Sequence, residues 1–155
     1  MIRYRFFGAS GFSSRAIEWF SSGYFSHVAA IWSPTELLDS RSDVVGGVPP
    51  GVEMRLAKYE TAQIMVDMEL DCTPAQESNW RAFLIEQLHK PYDKPAILGF
   101  AFGRNWQEPD SWFCSELQAA ALQECGRSPH LYAPANKINP VCFATIVSAL
   151  GGQVT

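Results

Sequence analysis

Short apolar runs of strand length fill the first half of the chain, and turn-forming residues separate them. Segment 2–7 alternates apolar with basic side chains before Gly8, and segment 24–32 is apolar and aromatic apart from His27. Ser33-Pro34-Thr35 predicts a tight turn, after which the chain returns antiparallel beside segment 24–32. Five runs fit strands: residues 2–7, 24–32, 36–40, 52–56 and 62–70. They predict a meander of about five antiparallel strands.

The second half of the chain changes to helical spacing. Thr73-Pro74-Ala75-Gln76 is a capping box with proline at the first helical position, and Ser111 is expected to cap a helix that runs to about Cys125. Asn139-Pro140 opens a last helix. Apolar residues share one face in the first and last helices: Trp80, Phe83, Leu84 and Leu88, then Phe143, Ile146, Val147 and Leu150. Shorter helices are predicted around 13–23 and 95–102. The pattern predicts an α+β fold with the helices packed on the sheet.

The length and the spread of apolar residues predict one domain over residues 1–155. The 155 residues are 47% hydrophobic and 18% charged, which is enough apolar material for a core without disulfides or a structural metal. We see no repeat or linker that would divide the chain. The oligomeric state stays open.

Net charge and hydropathy limit the classes of binding partner and the cellular location that we expect. The net charge of −4, with no run of Lys or Arg, argues against nucleic acid as a partner. Neither a signal peptide nor a membrane-spanning run is visible, so we expect a soluble chain that is cytoplasmic at synthesis. Later export or association with a virion stays open.

Four cysteines raise the question of a metal site. Cys72, Cys114, Cys125 and Cys142 form no C-x-x-C pair, and no histidine stands at zinc-ligand spacing. We therefore expect no metal and four free thiols in a reducing compartment.

Cys114 lies where a thiol is readily activated. If Ser111 caps the helix, Cys114 falls in the first turn, where amide N–H groups and the helix dipole favour a thiolate. The same N–H groups can stabilise an oxyanion, so the position suits a nucleophile. The alternative is a small buried residue without chemistry.

His27 is a polar ring inside an apolar β-segment. Such a ring either finds a hydrogen-bond partner in the core or faces a cleft, so both a structural residue and a catalytic base fit. His89, at a helix end, and His130, in a loop, are expected to be solvated.

The hairpin register proposes a partner for His27. A three-residue turn pairs Trp32 with Glu36, Ala29 with Asp39 and His27 with Arg41. Asp39 then shares a face with His27 and lies diagonal to it, within reach of the ring. A shift of the register by one residue would turn Asp39 to the opposite face of the sheet. Glu36 is the second candidate for the partner of His27. The structural alternative is that Asp39 is a solvated carboxylate at the end of a strand.

Three motifs resemble one family in their order along the chain. They are Ser26-His27-Val28, Lys90-Pro91-Tyr92-Asp93 and Phe113-Cys114-Ser115-Glu116-Leu117. Over roughly residues 24–148 the chain resembles circularly permuted papain-fold cysteine hydrolases, the YiiX-like group of NlpC-type enzymes, to which the lecithin:retinol acyltransferase family is related. The resemblance implies a permuted papain-like fold.

The resemblance also implies a reaction and its residues. Cys114 would be the nucleophile, His27 the base and Asp39 the residue that orients it, without any cofactor. The Lys-Pro-Tyr motif implies that Tyr92 borders the site, and Trp112 is a second substrate-binding candidate because it stands next to the expected cap; either ring also suits plain packing. The implied substrates are peptide amides, such as those of bacterial cell walls, or lipid acyl groups. Two alternatives stay open: an inactive binding or structural domain of the same fold, and an acyltransferase that uses the same triad.

Overall fold

The computed structural model describes residues 1–8, 24–58, 64–93, 110–128 and 138–155. Within these ranges the chain is α+β, with one antiparallel sheet of six strands and three helices. The strands are β1 (Ile2–Phe7), β2 (His27–Ser33), β3 (Glu36–Arg41), β4 (Gly51–Leu56), β5 (Met65–Leu70) and β6 (Gln153–Val154). The helices are α1 (Pro74–Glu86), α2 (Cys114–Glu124) and α3 (Pro140–Ala149). The helices predicted at 13–23 and 95–102 lie outside the described residues.

The strand order is β4-β3-β2-β1-β5-β6. Strands β1 to β4 form the predicted meander, but β5 does not continue it beside β4. It pairs instead with β1, where Arg5 lies opposite Asp67. The prediction of a simple meander was therefore wrong for this strand, because β5 closes the open edge of β1 and buries Tyr4 and Phe6 in the middle of the sheet. The two-residue β6, which the sequence pattern did not predict, extends that side.

The β2–β3 hairpin keeps the predicted register where it matters for His27. Ala30 lies opposite Leu38 and Ile31 opposite Leu37, as a three-residue turn predicts. Nearer the turn the register shifts by one residue, so Ser33, not Trp32, pairs with Glu36. The predicted Trp32–Glu36 pair was wrong because an irregularity in β2 takes up one extra residue.

Alternation along the strands divides the core into two clusters. The larger cluster unites one face of the sheet with the helices, and Phe6, Val28 and Leu38 belong to it. The opposite face carries a smaller buried cluster of Phe7, Ala29, Ile31 and Leu37. Strand residues two apart share a face, so His27 and Asp39 start on the side of the smaller cluster.

Helices α1 and α3 begin as the sequence predicts. The Thr73 hydroxyl accepts from the Gln76 N–H at 3.2 Å, and the Gln76 side chain accepts from the Thr73 N–H at 3.0 Å, which completes the capping box. Asn139 caps α3 by accepting from the Cys142 N–H at 2.8 Å. On their inner faces Trp80, Leu84, Phe143 and Val147 are buried.

Helix α2 begins differently from the prediction. The expected cap, Ser111, lies before the helix, and the N-cap is Phe113, whose side chain has no oxygen to accept a hydrogen bond. Glu116 supplies the carboxylate instead and accepts from the Phe113 N–H at 3.2 Å. Cys114 is therefore the first residue of the helix, and Gly126, at φ +72°, follows its end.

Candidate functional site

Backbone hydrogen bonds fix the segment that leads into Cys114. The Trp112 N–H donates to the Pro91 carbonyl at 3.0 Å, and the Trp112 carbonyl accepts from the Asp93 N–H at 3.2 Å. The Ser40 hydroxyl of β3 donates to the same carbonyl at 2.6 Å. The start of α2 is therefore held against both the sheet and the segment around Tyr92.

The other end of that segment is attached to the edge strand β4. The Val52 N–H donates to the Lys90 carbonyl at 2.9 Å, and the His89 N–H donates to the Val52 carbonyl at 2.8 Å. Gly51 makes this approach possible, because a Cβ on it would lie 2.6 Å from the Lys90 carbonyl oxygen and its φ is +117°. A backbone connection thus runs from β4 to the start of α2.

The structure brings His27 and Asp39 together. His27 Nε2 lies 2.7 Å from Asp39 Oδ2, and the two side chains are 14% and 0% exposed. This contact depends on the predicted register, since a shift of one residue would turn Asp39 away from the ring. With Nε2 held by Asp39, Nδ1 is the nitrogen that remains for another partner.

The Cys114 thiol is close enough to the His27 ring to affect its pKa. Its side chain is buried, and the thiol contributes to the environment of the His27 ring both as a hydrogen-bond partner and as a charge. Burial by itself lowers the pKa of His27, but the Cys114 charge and the hydrogen bond to Asp39 outweigh it. The pKa therefore rises from 6.5 to about 9.

Arg55 completes the group, and the sequence reasoning missed it. Its Nη1 lies 2.5 Å from Asp39 Oδ1, and both side chains are fully buried. On the β3–β4 ladder Asp39 lies opposite Glu53, so Arg55 is diagonal to Asp39 on the same face. The diagonal rule that leads from His27 to Asp39 would have found this arginine if it had been applied once more, to β4.

Tyr92, predicted as a substrate-binding residue, lies beside Cys114. Burial raises the pKa of the Tyr92 hydroxyl well above its usual range, and the neighbouring Cys114 charge raises it further. The ring packs edge-on against Phe113 at 6.0 Å. The Tyr92 hydroxyl is therefore neutral and able to donate a hydrogen bond.

Trp112, the other predicted substrate-binding residue, turns its side chain toward α1. The indole N–H donates to Gln87 Oε1 at 3.1 Å, and the ring meets Phe83 edge-on at 6.0 Å. Its backbone, by contrast, forms the lead into Cys114. The substrate-binding role of this tryptophan stays a prediction.

Glu36, the fallback partner for His27, lies at the opposite end of β3. Its carboxylate accepts from the Ser33 hydroxyl of the turn at 3.2 Å. Glu36 is exposed, whereas Asp39 is buried against the ring. Of the two candidates, the structure places only Asp39 at His27.

An ion pair and a buried carboxylic acid lie near the site. Arg41 Nε lies 2.9 Å from Asp43 Oδ1, and this hydrogen bond lowers the pKa of Asp43, with a further contribution from the His27 charge. Beneath the start of α2, burial raises the pKa of Glu116 to about 7 and the charge of Asp93 adds to the effect, while the Phe113 N–H opposes it. An ion pair with an exposed carboxylate and a largely buried arginine therefore lies near the site, together with the buried acid Glu116.

In the described ranges no cluster of three His, Cys, Asp or Glu side chains is placed to hold a metal ion. None of the helices described there has the length and hydrophobicity needed to cross a membrane. Scanning protein-family models yields no match to the chain, and a search of curated proteins yields none either.

Proposed function

We propose that the protein is a cysteine hydrolase that cleaves an amide or ester bond through Cys114, His27 and Asp39. One observation carries the proposal: a single imidazole is held by a buried carboxylate 2.7 Å from Nε2, and the buried Cys114 thiol is close enough to raise the pKa of the same ring. A catalytic histidine needs both groups, because the carboxylate orients the ring and the thiol is the nucleophile that the ring activates.

The proposed reaction has two steps. In the first, the Cys114 thiolate attacks the carbonyl carbon, the imidazolium of His27 gives its proton to the leaving amine or alcohol, and the bond to that group breaks. In the second, His27 takes a proton from water, the hydroxide attacks the thioester, and the C–S bond breaks to return the thiolate. Neither step requires a cofactor.

The start of α2 and Tyr92 suit the stabilisation of the oxyanion. Phe113 offers no side-chain oxygen to the amides of the first turn, so the helix start is not closed by the usual cap. The negative charge of a tetrahedral intermediate on Cys114 would form at these amides. The hydroxyl of Tyr92 stays protonated, and we assign it as a second donor to the oxyanion.

The permuted papain-like fold of NlpC-type enzymes is part of the proposal. The six-stranded antiparallel sheet, with the cysteine helix following the histidine strand in the chain, is compatible with it. The resemblance to these hydrolases supports peptide amides or lipid acyl groups as the substrates.

Alkylation of the four cysteines tests the activated pair. Iodoacetamide reacts with thiolates, and each cysteine is followed by mass spectrometry at several pH values, in the wild type and in His27→Ala. Cys142 is exposed and Cys114 is buried, so accessibility alone predicts that Cys142 reacts faster. We expect the reverse at neutral pH in the wild type, and a return to the accessibility order in His27→Ala. If Cys114 is the slower thiol in both proteins, the hydrolase proposal fails and an inactive binding domain takes its place.

A simple ester then tests acyl transfer. With p-nitrophenyl acetate we expect a burst of p-nitrophenol and one acetyl group on Cys114, both absent from Cys114→Ala. Adding amine or alcohol acceptors distinguishes hydrolysis from acyl transfer: acetate alone indicates a hydrolase, whereas an acetylated acceptor indicates an acyltransferase.

A further inference from the structure

The Asp39 carboxylate divides its two oxygens between two cationic groups. Oδ2 lies 2.7 Å from His27 Nε2, and Oδ1 lies 2.5 Å from Arg55 Nη1. A free carboxylate can rotate about its last bond, and a rotation would break the contact with the imidazole. The bond to Arg55 opposes this rotation, because it fixes the second oxygen.

Arg55 is itself anchored to the backbone. Its Nη2 donates to the Pro49 carbonyl at 2.7 Å and more weakly to the Gly51 carbonyl at 3.4 Å, while Nη1 also reaches the Asp39 carbonyl at 3.3 Å. The planar guanidinium holds several acceptors in a fixed geometry, which a flexible ammonium does not. Arg55 therefore holds Asp39 relative to the backbone of β3 and of the segment that enters β4.

Charge balance gives Arg55 a second effect on the site. In the thiolate–imidazolium state Cys114 and Asp39 are negative, and His27 and Arg55 are positive. The Asp39 and Arg55 side chains are fully buried, where an uncompensated charge is strongly unfavourable. Loss of Arg55 would leave two negative charges against one imidazolium and would favour protonation of Asp39 or of the thiolate.

Stability alone does not explain the arginine. Among the described residues Arg55 Nε has no hydrogen-bond partner, and such a buried unsatisfied group is destabilising. Buried ion pairs are in general poor sources of stability compared with apolar residues of similar size. A function for the ion pair in the site accounts for both facts.

We propose that Arg55 is a positioning residue that acts on the Cys114–His27 pair through Asp39. This inference rests on the proposed function. Arg55 then supports the three residues that carry the reaction without contacting the substrate or the sulfur.

The test compares Arg55 with a second arginine on the same face of the sheet. Arg5 pairs with Asp67 across β1 and β5, so Arg5→Lys and Arg5→Gln are matched controls for Arg55→Lys and Arg55→Gln. Two readouts are used: the alkylation rate of Cys114 in the folded protein, and the NMR resonance of the His27 Nε2 proton, which a short bond to a carboxylate shifts downfield.

We expect a graded loss at Arg55 only. Alkylation of Cys114 should fall about tenfold in Arg55→Lys, which keeps the charge but not the fork, and about a hundredfold in Arg55→Gln. The downfield proton resonance should move upfield in the same order. Both Arg5 variants should match the wild type. Wild-type alkylation and an unmoved resonance in folded Arg55→Gln would overturn the inference.

A double-mutant cycle keeps the test decisive if single variants fold poorly. Asp39→Asn/Arg55→Gln removes both charges together, which avoids a lone buried ion. If Arg55 acts through Asp39, adding Arg55→Gln to Asp39→Asn should change alkylation little. A further large loss would show that Arg55 acts by another route and would refute the inference. Failure of the proposed function looks different, because Cys114 would then be unreactive in the wild type while the His27 resonance still reports the effect of Arg55.

Discussion

Two aspartates on one face of the sheet use their oxygens in different ways. Asp67 gives both oxygens to Arg5, with Oδ1 at 2.7 Å from Nε and Oδ2 at 2.7 Å from Nη2. Asp39 gives one oxygen to Arg55 and the other to His27. Asp67 therefore spends both oxygens on one arginine, whereas Asp39 connects an arginine to an imidazole.

Burial separates the two groups as well. Arg5 and Asp67 keep 23% and 28% of their side chains exposed, so water screens their attraction. Asp39 and Arg55 are fully enclosed, so neither tolerates loss of the other. The two pairs differ in what the second carboxylate oxygen contacts and in their exposure, and under the proposed function these two differences separate a structural ion pair from one that serves a site.

The largest difference should appear in stability. Asp39→Asn leaves Arg55 buried without its counterion and should lower the free energy of unfolding by about 3–5 kcal/mol. Asp67→Asn should lower it by about 1 kcal/mol or less, since Arg5 stays partly solvated. Urea unfolding at pH 7 measures both. Equal losses would mean that the two pairs are energetically alike and that the comparison is wrong.

The next difference concerns pH. The folded-state pKa of His27, about 9, exceeds the ordinary value of 6.5, so the imidazolium stabilises the fold. This stabilisation, roughly 3 kcal/mol at most, is complete below pH 6.5 and is lost as the pH rises through 9. The difference in unfolding free energy between the wild type and His27→Gln should therefore shrink over that range. Asp67→Asn is the control and should run parallel to the wild type; a constant His27 difference would contradict the raised pKa.

The alkylation rate of Cys114 should also differ between the two aspartate variants, by a somewhat smaller free energy than their stabilities do. Alkylation of Cys114 should slow about a hundredfold in Asp39→Asn, or about 2.7 kcal/mol in activation free energy, because the imidazole loses the charge that orients it. In Asp67→Asn the rate should stay at the wild-type value. Rates are measured per folded molecule at low temperature, so that the stability loss does not enter. A slow Asp67→Asn would point to a general loosening of the sheet.

The smallest expected effect is a response to salt. At about 1 M NaCl the screening length falls to about 3 Å, which weakens exposed ion pairs far more than buried ones. The penalty of Asp67→Asn should then drop by a few tenths of a kcal/mol, while the penalty of Asp39→Asn stays the same. Repeating the urea unfolding at low and high salt measures this. A salt-sensitive Asp39 penalty would contradict the enclosure of the pair.

Much of the local structure was predictable because short-range rules govern it. The Thr73 capping box and the start of the last helix at Asn139-Pro140 depend on a few adjacent residues, and both are confirmed. The turn at Ser33-Pro34-Thr35 predicted the register that brings Asp39 to His27, even though the pairing next to the turn shifts by one residue. Alternation then determined the face, which is why a diagonal contact could be predicted from spacing.

Features that depend on the whole fold were not predictable in this way. Strand β5 pairs with β1 and not with β4, because β1 offers an open edge of the sheet. The order of the strands along the sequence does not reveal this pairing. A two-residue strand such as Gln153–Val154 has too few side chains to show alternation. Ser111 satisfied the residue preference for a cap, but the bonds of Trp112 to the sheet and to the Tyr92 segment delay the helix until Cys114.

The connection between β4 and the segment before Tyr92 has a consequence for sequence variation. Its bonds join Val52 to His89 and Lys90 through backbone atoms, which every residue except proline supplies in full. A mutational scan should therefore find positions 89 and 90 permissive, with Gly or Asn favoured at 89, where φ is +67°. Gly51 should be intolerant of any side chain, since a Cβ would push the Lys90 carbonyl away. A glycine far from the thiol in sequence thus constrains where Cys114 stands.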